Sequence, residues 1–259
     1  RMQTGLSCLL KYYTMYDERY PTPSAIKCDD YEDVLSDIKR SVTRVFRLYF
    51  PWMPEEEYAH YIEGLALTRA QDYGFIRSFS DLKPSGLRHL DLGPGLGSSA
   101  VFSRYGLKSQ YCGLEAYPES YQVQREFLRF FSSQEAPYVD FIAAETFGVS
   151  DSDLATILKR GAEGIIHIPS WKFPLIEDSH FDLVTANWIL SELNHAGILW
   201  LISGAVRTLK TGGYFYIRDS GQLKPGHHDV DYDNLLTKLG FEETGRLEIE
   251  NRVDFYGTP

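Results

Sequence analysis

The sequence predicts an α/β fold: a doubly wound, mostly parallel sheet preceded by a helical segment. Three observations predict it. From Leu87 onward short apolar runs alternate with amphipathic ones, the pattern of successive βαβ units. A glycine-rich turn, Gly93-Pro94-Gly95-Leu96-Gly97, follows the first of those runs directly. The residues ahead of position 80 show helical spacing and no such alternation. A chain of 259 residues suits one large domain, or one domain with an appendage. The change of pattern favours the appendage, with residues 1–80 as a helical lid or acceptor-binding segment and 81–259 as the main domain.

In chain order, the break at Pro21-Thr22-Pro23-Ser24 precedes a helix that Asp29 or Asp30 can cap. Its apolar positions Val34, Leu35, Ile38, Val42, Val45, Phe46 and Tyr49 recur with helical spacing, and Pro51 stops it. A second helix begins near Pro54-Glu55-Glu56-Glu57, with proline and acids in the favoured first turn. Strands are expected at 88–92, 110–114, 181–186 and 213–218, with 139–143 and 164–167 competing for one further place. Helices are expected at 98–105, 120–131, 152–160, 198–209 and 232–239. Segments 243–250 and 252–256 close the chain as a pair of strands around a tight turn.

Composition narrows the function classes. The net charge is −10, a field that repels polyanions, so nucleic acid is not an expected partner. No run of apolar residues is long enough to span a membrane. Cys8, Cys28 and Cys112 form no Cys-x-x-Cys pair, which suits a cytoplasmic location and argues against a cysteine zinc site. The start at Arg1 lacks a signal-peptide pattern and suggests one domain of a longer protein. The 18 Tyr, 15 Phe and 4 Trp can pack helices, or line a saccharide or flat-ring site.

The first strand ends in Asp91-Leu92-Gly93-Pro94-Gly95-Leu96-Gly97-Ser98. Alternate glycines at a strand-to-helix turn let the backbone curl tightly and approach a ligand closely. A dinucleotide fingerprint would place its third glycine at position 98, where Ser98 stands. Asp91, two residues before the first glycine, suits a ligand carrying a positive group to the turn, such as the methionine ammonium of S-adenosylmethionine. Glu115, at the end of the second strand and about 20 residues past the glycines, can accept both hydroxyls of a ribose.

With these residues the sequence resembles the class I S-adenosylmethionine-dependent methyltransferases over residues 85–259. Phe181-Asp182-Leu183-Val184 and Leu209-Lys210-Thr211-Gly212-Gly213 extend the resemblance. It implies a Rossmann-like seven-stranded sheet with an antiparallel last strand. It also implies S-adenosyl-L-methionine held over Gly93, Gly95 and Gly97, with Asp91 and Glu115 as its acids and Asn187 and Trp188 beside it. The acid that the family often places after strand three is missing. Ser170 could bond the adenine there, and Trp171 or Phe173 could cover its ring.

The stretches 185–193 and 216–221 resemble bacterial proteins provisionally grouped as sugar O-methyltransferases. This implies a carbohydrate hydroxyl as acceptor, which needs a general base or a metal because its pKa is high. His195, Asp219, His227 and His228 are the candidate catalytic residues. Asp219 with His227, His228 or Asp229 could bind a divalent metal, although Asn187 stands where metal-dependent members carry a second acid. Arg40, Arg44 and Arg47 share one helix face, which could hold an acidic glycan or simply face solvent. A small-molecule methyltransferase acting on a phenol or amine is the alternative, as is a non-catalytic methyltransferase-like partner domain.

Overall fold

The computed structural model describes residues 28–131, 138–140, 158, 164–219, 231–248 and 252–257. The chain divides into two compact units, with the boundary between Ser78 and Phe79.

The first unit contains α1 (Tyr31–Tyr49) and α2 (Glu55–Phe79). Helix α1 buries Val34, Leu35, Ile38, Val42, Val45 and Phe46, the stripe its spacing selects. Phe46 packs on Phe50 and Tyr58, with ring centroids 5.4 and 5.6 Å apart. Asp30 occupies the N-cap position, where its backbone carbonyl accepts the Val34 N–H at 3.0 Å but its side chain bonds no helix N–H. Its carboxylate instead accepts the Tyr73 hydroxyl at 2.6 Å and the Cys28 thiol at 3.2 Å. A bond to α2 has displaced the expected cap. On the arginine face, Arg47 lies on both oxygens of Glu55 and Arg40 on Asp37. That face therefore carries its own counter-charges.

Among the described residues the second unit is built on a sheet of eight strands in the order β3-β4-β2-β1-β5-β6-β8-β7. These are β1 (Arg88–Leu92), β2 (Gln110–Glu115), β3 (Tyr138–Asp140), β4 (Ile165–Pro169), β5 (Phe181–Asn187), β6 (Leu209–Asp219), β7 (Glu242–Glu248) and β8 (Arg252–Gly257). The strands from β3 across to β6 run parallel; β8 is antiparallel to β6, and β7 to β8. The expected count of seven is corrected to eight, because both segments that competed for one place form strands. Ile165-Ile166-His167-Ile168 is buried throughout and pairs with β2, whereas the three residues of β3 add an edge beyond it.

The helices are α3 (Ser99–Tyr105), α4 (Pro118–Phe131), α5 (His195–Thr208) and α6 (Tyr232–Lys238). The helix expected at 152–160 falls, except for Leu158, outside the described residues. A second correction concerns residues 209–213, expected as a helix end and turn. They open β6 instead, Leu209 pairing with Phe181 across a bulge. Asp182 in that bulge accepts the Arg88 N–H at 2.8 Å and Lys210 Nζ at 2.6 Å. It thus ties the starts of β1, β5 and β6. Strand order reverses at β1, which has β2 on one side and β5 on the other. The carboxyl ends of β1 and β5 therefore flank the crevice where such sheets bind ligands. Among the described residues no helix is long and apolar enough to cross a membrane.

Candidate functional site

The glycine turn leaves β1 at that crevice. Gly93, Gly95 and Gly97 all have left-handed backbones, with φ of 62°, 61° and 76°, a conformation that penalises any residue with a Cβ. The Gly93 N–H bonds Leu114 O, and the Gly97 N–H bonds Pro94 O. Ile189 and Leu128 side chains fill the space a Cβ would need at Gly93 and Gly97. Gly95, at the crest, is exposed.

Asp91 lies fully buried beneath this turn. Its Oδ2 accepts the Tyr111 hydroxyl and its Oδ1 the Thr185 hydroxyl, both at 2.7 Å. Having donated to Asp91, Thr185 Oγ1 accepts from His89 Nε2 at 2.8 Å. His89 Nδ1 then accepts from Ser103 Oγ at 2.9 Å, and Ser103 Oγ from Ser109 Oγ at 2.5 Å. Burial lowers the His89 pKa to about 3, so the ring is neutral and has one donor and one acceptor. The chain of donors consequently runs one way, from Ser109 to the carboxylate.

Glu115 ends β2 and is almost fully buried. Its Oε1 accepts the Ala116 and Tyr117 N–H groups at 2.7 and 2.9 Å, and its Oε2 accepts from Gln124 Nε2 at 2.5 Å. The same Gln124 nitrogen donates to Gly95 O at 2.7 Å. Gln124 belongs to the site and was missed in the sequence. The available signal was a polar residue on the buried stripe of α4, between Tyr121 and Leu128.

Asn187 and Trp188 stand at the end of β5, next to β1. Trp188 has a φ of 62° and donates its N–H to Arg218 O at 2.7 Å. A bulky residue in the left-handed region is strained, and such strain concentrates at binding sites. Asn187 Oδ1 and Nδ2 are both buried, and neither meets a hydrogen-bond partner among the described residues. A buried amide left open costs stability, so Asn187 is a candidate ligand group.

The candidate catalytic residues separate. Asp219 is buried at the end of β6, where its Oδ2 accepts the Ser191 N–H at 2.8 Å. It therefore ties down the turn after β5. His195 is exposed in the first turn of α5, and the cap of that helix is Asn194, whose side chain accepts the Gly197 N–H at 2.8 Å. His227, His228 and Asp229 lie outside the described residues. Among the described residues no group of three His, Cys, Asp or Glu side chains is gathered as a metal site. Of the two aromatic residues after β4, Phe173 is a core residue packed on Trp200 with ring centroids 5.4 Å apart, which removes it as an adenine cover. Trp171 is 55% exposed.

No protein-family model matches the chain, and no curated protein matches it in sequence. Solved structures do match. A protein from Galdieria sulphuraria provisionally assigned as a sarcosine dimethylglycine methyltransferase is 18% identical with a TM-score of 0.50. The match covers 72% of this chain and 66% of that one, so this chain spans just under two thirds of that protein's length. Magnesium protoporphyrin IX methyltransferase from Synechocystis PCC 6803, solved with bound S-adenosylmethionine, is 12% identical over 90% of this chain and 99% of its own, with a TM-score of 0.50. A mutant of MtNAS in complex with S-adenosylmethionine is 13% identical over 88% of this chain and 73% of its own, also with a TM-score of 0.50. The chain shares the α/β fold of these three structures.

Proposed function

We propose that the chain is an S-adenosylmethionine-dependent methyltransferase. The observation that carries this reading is the reversal of strand order at β1, where such sheets bind ligands beyond the carboxyl ends. A left-handed glycine turn follows β1, and the buried, open amide of Asn187 ends the neighbouring β5. The residues present fit the cofactor: 93–97 allow close backbone approach, Glu115 retains acceptor capacity for the ribose, and Asp91 supplies negative charge beneath the methionine end. Trp188, in its strained conformation, lines the same crevice. When bound, the cofactor supplies an electrophilic methyl group on a sulfonium. The protein's part is positioning, since in-line displacement depends on holding the acceptor atom collinear with the methyl and sulfur.

The acceptor we propose is a carbohydrate hydroxyl, supported by the resemblance in 185–193 and 216–221. The arginine face of α1 adds nothing to it, because Arg40 and Arg47 sit on carboxylates. Of the described candidates, His195 is our choice for the group that takes the hydroxyl proton, supported by its exposure beyond the carboxyl end of β5. His227 and His228 are further candidates for that role.

Calorimetry with S-adenosylhomocysteine tests the cofactor assignment. Wild type should bind, and Asp91→Ala and Glu115→Ala should each weaken binding by about tenfold or more, as expected for charged hydrogen-bonding groups. No binding by wild type, or unchanged binding by both variants, sinks the assignment. Mass spectrometry of candidate glycans, phenols and amines incubated with labelled cofactor tests the acceptor. Label on amines or phenols alone would exclude the carbohydrate.

A further inference from the structure

Glu115 has less room for a ligand than its position suggests. A carboxylate offers about four acceptor sites. Two backbone N–H groups occupy Oε1 and Gln124 occupies one side of Oε2. Among the described residues one site remains, on Oε2. We propose that Gln124 positions Glu115 to read one ribose hydroxyl of the cofactor and not both, making this glutamine a specificity-determining residue. The inference rests on the cofactor reading above.

Gln124 is fully buried and cannot turn its amide over. Both acceptors, Gly95 O and Glu115 Oε2, face its Nε2, so that atom is the NH₂ group. Its Oε1 faces His167 Nε2 at 2.8 Å, which must therefore carry the proton. That leaves His167 Nδ1 as the acceptor of the Tyr138 hydroxyl at 3.2 Å. Burial lowers the His167 pKa to about 3, so the ring stays neutral. Tyr121 stacks on it at 3.5 Å with the planes 7° apart. Donors thus run in one direction from Tyr138 through His167 and Gln124 to Glu115. Through Gly95 O the same amide fixes the crest of the glycine turn. One side chain thus sets the ribose acid and the turn relative to each other.

The test is calorimetry with S-adenosylhomocysteine and its 2′-deoxy and 3′-deoxy forms. In wild type, one deoxy form should bind about tenfold more weakly or worse, as for a lost hydrogen bond to a charged group, and the other within about threefold of the parent. In Gln124→Leu the second site on Oε2 is freed, so the deoxy form that wild type tolerates should become sensitive as well, binding about tenfold more weakly than the parent. Equal losses for both deoxy forms in wild type overturn the one-hydroxyl reading. A Gln124→Leu variant that weakens all three ligands by one common factor reduces Gln124 to a structural role and overturns the proposal. If wild type binds none of the three, the cofactor reading itself has failed. Should Gln124→Leu not fold, Gln124→Met serves in its place, and the wild-type comparison needs no variant.

Discussion

Gly93 and Gly86 have nearly the same left-handed backbone, φ 62° and 68°, in different surroundings. A Cβ at Gly93 would lie 2.8 Å from Ile189 Cδ1 and 3.2 Å from its Cβ, whereas nothing lies within 4 Å of one at Gly86. Alanine at either position meets the left-handed strain, about 1 kcal/mol. Only at Gly93 does crowding of a β-branched neighbour add about 1–3 kcal/mol. Urea unfolding should therefore show Gly86→Ala losing about 1 kcal/mol and Gly93→Ala roughly 2–4. Equal losses would mean that Ile189 moves aside freely, and the turn would then be glycine-rich for its ligand alone. At this scale the sequence was informative where chemistry is local. Gly93, Gly95, Gly97, Asp91 and Glu115 all stand within one βαβ unit, so their spacing alone is enough to single them out as candidates. Thr185 and His167 could not be recognised, because they reach Asp91 and Gln124 from 94 and 43 residues away. Nothing in a strand residue's own neighbours reports such a partner.

The turn after β5 is held by an element that follows it in the chain. Asp219, at the end of β6, accepts the Ser191 N–H, and the Trp188 N–H bonds Arg218 O. If Asp219 acts through that bond, Asp219→Asn should retain most turnover, since the asparagine oxygen can still accept from Ser191. Asp219→Ala should lower turnover by about tenfold, as for a lost charged hydrogen bond, with affinity for S-adenosylhomocysteine kept. Near-complete loss in both variants would instead make Asp219 a base or metal ligand. Steady-state kinetics of the pair decide. Element boundaries were legible where periodicity and burial agree: β1, α4 and β8 begin within two residues of their expected starts. They were not legible where two segments had equal claims. The 139–143 and 164–167 runs are both short and apolar, and only pairing with β2 distinguishes the inner strand from the edge. Residues 209–213 read as a helix end and turn leading into a strand, yet Leu209 pairs with Phe181 across the bulge at Asp182.

Among its described residues the sheet unit buries three histidines in neutral form, and this gives the protein a direction of pH dependence. Burial lowers His89 and His167 to about 3. His180 is lowered to about 4, by burial first and then by the cations Arg88 and Lys210. In the unfolded chain each titrates near 6.5, so between roughly pH 6.5 and 3 the unfolded state binds more protons than the folded one. Their contribution is fully present above about pH 6.5 and is lost as the pH falls through that window. For each of His89 and His167 the slope is roughly 1.4 kcal/mol per pH unit once the pH is well below 6.5. An opposing effect exists, because the net charge of −10 is relieved by acid. That repulsion acts between exposed charges and is largely screened beyond about 8 Å at 0.15 M salt, so the histidines should win. Urea unfolding at 0.15 M salt should show stability falling from pH 7 to pH 5. His180→Leu, outside both hydrogen-bonded chains, should flatten that fall without altering ligand affinity at pH 7. Constant stability from pH 7 to 5 would mean that these rings gain protons in the folded state and that the donor directions assigned to Asp91 and Glu115 are wrong, whereas an unchanged slope in the variant would remove His180 alone from the account.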